Sequence, residues 1–373
     1  MTDLPPTFIF AGGGTGGHLA PALAVAEEIR AASPHAVILF LCTDKPVDAR
    51  FLDAAGHGRV IQPIRPLPRS PLGWGDFYLR WRRSLALASA VLRNLRPAAV
   101  LGLGGYAAGP AVRQAAARGI PAALLNPDGV PGKANRYLAR RADVVFTQFE
   151  DTAACFPAAV RPRIRAVGCP VRRSLMMGDA ARILASVGLS GDRKTLAVMG
   201  GSLGAETINR AVLALAADLA SRQDHWQVLH VTGAGKAAEV LEQYAKAGVR
   251  AGILEFCSTM GDFYAAADLV IGRAGANSVA ELAVTGTPSV LLPYPFHRDR
   301  QQYHNAAPLA AAGAAVIVDD AADPALNADR LRSSLLPLLD SPDRLTAMAR
   351  AARSLARPQA AGEVAQWMLG QGG

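Results

Sequence analysis

Twice along this chain a short apolar run breaks into glycines and a small hydroxyl residue and opens straight onto a helical pattern. The runs are TFIFAGGGTGGH near the start and TLAVMGGSLGAE past the middle. A strand that ends in glycines and feeds a helix is the working unit of a doubly wound α/β sheet, so the echo predicts two such domains. The rest of the sequence keeps the rhythm. AVILFLCT, AAVLGLGG, PAALLN and DVVFTQ follow the first turn, and QVLHVTG, GILEFC, DLVIGRAG and SVLLPYP follow the second. Uninterrupted apolar strands between helical patterns indicate parallel sheets covered on both faces. A chain of 373 residues has room for two cores of ordinary size.

Prolines and arginines interrupt the pattern in RPRIRAVGCPVRRS, residues 161–174. We therefore place an N-terminal domain at 1–166 and a C-terminal domain at 167–341, with a cleft between them. The helical patterns of 342–373 come after every strand, which leaves them free to cross back onto the first domain.

Charge is lopsided. Residues 1–165 hold 20 Lys and Arg against 11 Asp and Glu, whereas residues 166–373 hold 19 of each. A basic half is either a solvated surface or a surface for an anionic ligand, an anionic membrane or nucleic acid. No recognised nucleic-acid motif accompanies it, and nucleic acid would leave the paired glycine turns without a purpose. Cys42, Cys155, Cys169 and Cys257 are far apart with no CxxC pair, so neither zinc nor a disulfide framework is expected and a reduced cytosol is the simplest setting. Neither a targeting segment nor a membrane-spanning run is expected.

Gly12, Gly14 and Gly17 satisfy GxGxxG, but the acidic residue that a dinucleotide site expects arrives late, at Asp44. No GK[ST] follows, which excludes a Walker A loop. Two helix N-termini with unpaired N–H groups remain, each suited to an anion such as a diphosphate.

Six blocks now carry a specific resemblance: GGGTGGHLAPALAVAEEI, LGLGGYAAGP, VGCPVR, MGGSLGA, RAGANSVAEL and HRDRQQYHNA. In this order and spacing they resemble the MurG family of bacterial N-acetylglucosaminyltransferases, glycosyltransferase family 28, over roughly residues 7 to 350. The resemblance implies a GT-B fold: two Rossmann-like domains with an interdomain cleft. It implies an inverting hexosyltransferase that moves GlcNAc from UDP-GlcNAc to the C4 hydroxyl of undecaprenyl-pyrophosphoryl-MurNAc-pentapeptide, turning lipid I into lipid II. That step belongs to peptidoglycan synthesis, and so to cell wall biogenesis, cell shape and cell division. The setting implied is peripheral, on the cytoplasmic face of the inner membrane, with cell-wall synthesis proteins as partners. UDP-GlcNAc is a substrate, and no cofactor is expected.

Residue by residue, His18 matches the family's candidate general base, and its unperturbed pKa of about 6.5 suits a base at neutral pH. A locally capping or packed histidine is the bland alternative. Acceptor contacts are implied for Gly13, Gly14, Thr15, Gly16, Gly17 and Tyr106, the glycines offering N–H groups to the acceptor diphosphate. For the donor the resemblance implies Thr15, Gly16, Gly17, Asp128, Arg172, Ser202 within the Gly201–Gly204 turn, and Cys257 through its main chain. It adds Ala276, Asn277, Ser278, Val279, Ala280, Glu281 and Gln302, with Glu281 on the ribose and Gln302 on the sugar. Ser278 to Glu281 also reads as a capping box, which would claim the same carboxylate. No DxD sequence occurs, so no metal site is expected.

Relatives carry a glutamate and an asparagine where this chain has Asn126 and Asp128. Asn126 cannot act as a base, which increases the weight on His18, and Asp128 is left as an auxiliary to the base or the sugar. The departure keeps open a related transferase with another lipid acceptor, such as a diacylglycerol, or a UDP-GlcNAc epimerase. Finally, Leu72, Trp74, Phe77 and Trp81 alternate with Arg80, Arg82 and Arg83, a mixture that suits an anionic bilayer surface. Ala86, Ala90 and Leu92 beyond them are expected to pack on the sheet.

Overall fold

The computed structural model describes residues 5–14, 16–68, 70–201, 204–296 and 299–372. It divides into two compact units, Met1–Arg172 with Pro358–Gly373, and Arg173–Arg357. The divide falls six residues beyond the expected 166/167, because Ile164–Ala166 is not a linker but an edge strand of the first sheet.

The first unit carries β1 (Thr7–Ala11), β2 (Val37–Cys42), β3 (Gly58–Ile61), β4 (Ala99–Gly102), β5 (Ala122–Asn126), β6 (Val144–Thr147) and β7 (Ile164–Ala166). They lie in the order β3-β2-β1-β4-β5-β6-β7, every pair parallel. Phe8, Phe10 and Phe40 fill one face, and Ile9, Val100, Leu124 and Val145 fill the other. The closing helix Ala360–Leu369 seals the first of these faces with Val364, Ala365 and Met368. Its neighbour Pro342–Ser354 belongs instead to the second unit, where Leu345 and Met348 join that core. Only the last helix therefore joins the first unit.

The second unit carries β8 (Lys194–Met199), β9 (Trp226–Val231), β10 (Ala251–Leu254), β11 (Leu269–Gly272), β12 (Ser289–Leu291) and β13 (Ala315–Ile317). Their order is β10-β9-β8-β11-β12-β13, again wholly parallel. In both sheets the order reverses beside the strand that precedes a glycine turn, at β1/β4 and at β8/β11. Loops leaving the carboxyl ends of strands at such a reversal are where open α/β sheets bind ligands.

Candidate active site

At the first reversal, the turn after β1 meets the loop after β4. Gly12, Gly13 and Gly14 all have positive φ, at 153°, 141° and 85°. A methyl on Gly12 would sit 2.6 Å from Leu103 Cβ, and one on Gly13 would sit 2.3 Å from Asp48 Oδ2. These two glycines thus make room for the protein itself. Asp48 is fully buried, and its carboxylate accepts from Gly14 N (2.7 Å), Thr43 N (2.9 Å) and Thr43 Oγ1 (2.7 Å). This corrects the expectation for Gly14: its N–H is not offered to an acceptor diphosphate, because a buried carboxylate already holds it. Lys45 Nζ donates to the Gly14 carbonyl at 3.0 Å. Thr15 lies outside the described residues. Gly16 opens the helix Gly16–Ala32, and Phe51 packs close to its Cα.

His18 stands in the first turn of that helix with its ring edge against Gly105. Crowding protein atoms lower its pKa below the ordinary value, while the nearby Asp128 charge and a hydrogen bond with the Gly13 backbone pull the other way. The imidazole is therefore held neutral at pH 7, with a carboxylate close enough to stabilise the proton it would acquire. Asn126 is 1% exposed and fully engaged: Nδ2 donates to the Asp128 carbonyl at 2.7 Å, and Oδ1 accepts from Asn135 Nδ2 at 2.9 Å. It shapes the loop that carries Asp128. Tyr106 follows Gly105 (φ 68°) in a short 3-10 turn, and burial pushes its hydroxyl pKa up. Gln62 steadies this loop by donating to the carbonyls of Leu41 (3.1 Å) and Ala107 (3.0 Å). Sequence reading missed Asp48, Lys45, Gln62 and Asn135, since none lies in a glycine block.

Arg172 closes the first unit, where its Nε donates to Glu27 at 2.6 Å. A role on a nucleotide would require it to leave or share that ion pair.

The second reversal is built differently. Gly200 and Gly204 are hemmed in, since a methyl on either would meet Ala205 N at 2.1 Å or the Thr232 carbonyl at 2.4 Å. Gly201, at φ 93°, has nothing within 4 Å. Ser202 lies outside the described residues. Beneath the turn, His230 is fully buried between Tyr244 (Nδ1 to OH, 3.0 Å) and Asn209 (Nε2 to Oδ1, 3.1 Å), and Asn209 Nδ2 donates to Thr232 O at 2.9 Å.

Across the reversal, the helix Ala276–Thr285 starts from Gly275, so Ser278 sits inside its first turn and the expected capping box does not form. Glu281 is released from that role. Its carboxylate instead accepts from Tyr264 OH at 2.9 Å, and burial raises its pKa. Val279 gives its N–H to the Gly275 carbonyl at 3.0 Å, and Val279 and Ala280 bury their side chains. This leaves Ala276, Asn277 and Ser278 as the members of the block with first-turn amides. Cys257 has its thiol buried, so only its main chain is suited to a ligand. Gln302 accepts from Tyr294 N at 2.8 Å, which orients its amide so that the NH2 end is the donor. Arg273 and Asp320 form a buried pair at 2.7 Å that also engages Thr207, tying the two loops of the reversal together.

On the basic helix Trp74–Leu95, Leu72 just before it is 96% exposed, and Trp74, Tyr78 and Leu79 are more than half exposed. Trp81 packs over Gly109, and Phe77 stacks on Trp81 at 6.3 Å. Arg80 is engaged with Asp76 at 2.6 Å. The packed face is Ser84, Ala88 and Leu92, one residue every four; Ala86, expected there, is exposed because it lies on the opposite side of the helix.

Family models give the same division. The glycosyltransferase family 28 N-terminal domain matches residues 8–147, and the family's C-terminal domain matches 195–364. Two UDP-N-acetylglucosamine–N-acetylmuramyl-(pentapeptide) pyrophosphoryl-undecaprenol N-acetylglucosamine transferases are similar over almost their whole length. The protein from Desulfitobacterium hafniense is 36% identical, covering 97% of this chain and 98% of its own; that from Nitratidesulfovibrio vulgaris is 40% identical, covering 95% and 94%. The crystal structure of Acinetobacter baumannii MurG superposes with a TM-score of 0.74 at 28% identity, over 98% of this chain and 100% of that one. A UDP-GlcNAc 2-epimerase from Neisseria meningitidis shares the fold at a TM-score of 0.69 and 13% identity. The fold is GT-B, and the chain belongs to glycosyltransferase family 28, among its UDP-N-acetylglucosamine–N-acetylmuramyl-(pentapeptide) pyrophosphoryl-undecaprenol N-acetylglucosamine transferases.

Proposed function

We propose that this protein transfers GlcNAc from UDP-GlcNAc to the C4 hydroxyl of undecaprenyl-pyrophosphoryl-MurNAc-pentapeptide, with inversion at the transferred carbon. The observation that carries the reading is the match, over nearly the whole chain, to transferases whose name specifies these two substrates. The acceptor oxygen attacks the anomeric carbon, its proton passes to His18, and the bond to the UDP oxygen breaks with its electron pair leaving on the diphosphate. A neutral imidazole can accept that proton, and Asp128 stabilises the resulting imidazolium. In the second unit Gly201 and the first-turn amides of Ala276–Ser278 face the UDP diphosphate, Glu281 takes the ribose hydroxyls, and the NH2 of Gln302 donates to the sugar.

We place the protein on the cytoplasmic face of the membrane as a peripheral enzyme. Among the described residues no helix is long and apolar enough to cross a membrane. The first unit holds all the excess positive charge, and its exposed Leu72, Trp74, Tyr78 and Leu79 sit beside Arg82 and Arg83. Replacing Leu72 and Trp74 with serine is expected to weaken binding to anionic vesicles without lowering Tm. Unchanged vesicle binding would remove this surface from the reading.

The deciding experiment is transfer of labelled GlcNAc to a lipid I analogue, run beside a diacylglycerol acceptor and a reaction without acceptor. Product that requires the lipid I analogue supports the reading. Product only with diacylglycerol, or epimerised sugar without acceptor, replaces it by one of the two alternatives.

A further inference from the structure

Because Asp48 holds the Gly14 amide, the first glycine turn needs another source of positive charge if it is to meet a diphosphate. The structure supplies one at the same residue. The point where a side chain on Gly14 would begin is open, and its nearest neighbours are Lys45 Nζ at 3.5 Å and Tyr106 OH at 3.5 Å. The missing side chain leaves a notch walled by an ammonium and a phenol hydroxyl, both hydrogen-bond donors.

We propose that Lys45, with Tyr106 opposite it across the Gly14 notch, binds the diphosphate of the lipid-linked acceptor. The inference rests on the reading above that the first unit takes that acceptor. Lys45 is exposed, forms no ion pair among the described residues, and uses one of its three N–H bonds on the Gly14 carbonyl. The Asp48 carboxylate behind the turn would repel an anion, but it is fully buried and its contacts face Gly14 and Thr43. Lys45 stands between that charge and the notch. Its charge is also felt at His18, so the two groups belong to one neighbourhood. In the acceptor, the diphosphate on C1 and the reacting hydroxyl on C4 lie at opposite ends of one pyranose ring. A base and a cation set one sugar apart match that arrangement.

The test compares Lys45→Met and Lys45→Arg with the parent enzyme on two acceptors, a lipid I analogue and the same sugar-peptide with an uncharged linker in place of the diphosphate. Lys45→Met should raise KM for the diphosphate acceptor about tenfold to a hundredfold, the weight of one or two charge-assisted hydrogen bonds. KM for UDP-GlcNAc and turnover of the uncharged acceptor should stay within about twofold, and Lys45→Arg should recover most of the loss. An unchanged acceptor KM overturns the proposal, and so does an equal loss on both acceptors, which would make Lys45 only a latch on the Gly14 carbonyl. Binding of a short-chain prenyl diphosphate, measured without donor, separates the two readings. If the parent enzyme transfers nothing to lipid I, the proposed function falls, while loss of prenyl diphosphate binding in Lys45→Met alone still decides for Lys45 and equal binding decides against it.

Discussion

The two glycine turns look like copies in the sequence and are built for different work. After β1, the backbone of Gly12 and Gly13 is packed against Leu103 and Asp48, and the Gly14 amide is held by a buried carboxylate. What faces outward there is side chains: His18, Lys45 and Tyr106. After β8, Gly200 and Gly204 are packed just as tightly, but Gly201 between them stands open with its backbone accessible. A run of glycines therefore reports close approach of something, and that something can be the protein's own carboxylate. In the first unit chemistry falls to side chains, and in the second the main chain is left free for a phosphate.

The largest effect should come from the first turn's side chains. His18→Ala is expected to lower kcat by roughly 10²- to 10⁴-fold, the usual weight of a positioned general base, with binding of UDP-GlcNAc retained. Near-normal kcat would leave the first turn without its proposed chemistry. Next, Asp48→Ala strands the amides of Gly14 and Thr43 inside the protein and should cost roughly 2–4 kcal/mol of stability, read as a lower denaturation midpoint. If Asp48→Ala were neutral, the first turn would not be organised around that carboxylate.

Gly204→Ala probes the packed part of the second turn. Its methyl would meet the Thr232 carbonyl at 2.4 Å on a residue at φ 72°, and the expected loss is roughly 2–3 kcal/mol. A loss of this size with donor KM intact would show that Gly204 serves packing, as Gly13 does in the first turn.

How much of this was legible beforehand follows from the kind of signal each feature leaves. The strands that were read are apolar on both faces; β3, written GRVI, β7, written IRA, and the three-residue β13 are short edge strands whose partly exposed residues break that pattern. The reversal points were implied by the paired turns. Asp48 was not legible, because a carboxylate 34 residues from Gly14 in sequence reaches it only through the pairing of β1 with β2. The SxxE run looked like a cap because local spacing cannot tell where a helix begins; Gly275 begins it one turn early. His18 was found from its block, whereas its link to Asp128 required the fold.

Each turn also has its own histidine, and pH should separate them. His18 titrates below its ordinary value, so the acid limb of kcat/KM should fall at a pH under about 6.5. His230, under the second turn, is pushed down to about 3 by burial. An unfolded chain takes up that proton below about pH 6.5 while the folded one refuses it, so stability is full above about 6.5 and is lost as pH falls toward 3. The slope is about 1.4 kcal/mol per pH unit for this one group. His230→Gln should flatten that part of the stability curve and leave the acid limb of activity where it was. If the activity limb moved with it, the two histidines would not be independent.

The smallest effect on the fold, and the sharpest on the comparison, belongs to Gly201. An alanine there meets no atom within 4 Å, so the cost is only that of a side chain at φ 93°, about 1–2 kcal/mol. If the open backbone receives the UDP diphosphate, the added methyl occupies the ligand's space, and KM for UDP-GlcNAc should rise about tenfold, the weight of one hydrogen bond, with acceptor KM unchanged. Gly13→Ala should do the reverse, unfolding the protein through Asp48 before any effect on the donor can be read. Were both substitutions to act only on stability, the openness of Gly201 would have no functional meaning and the two turns would be copies after all.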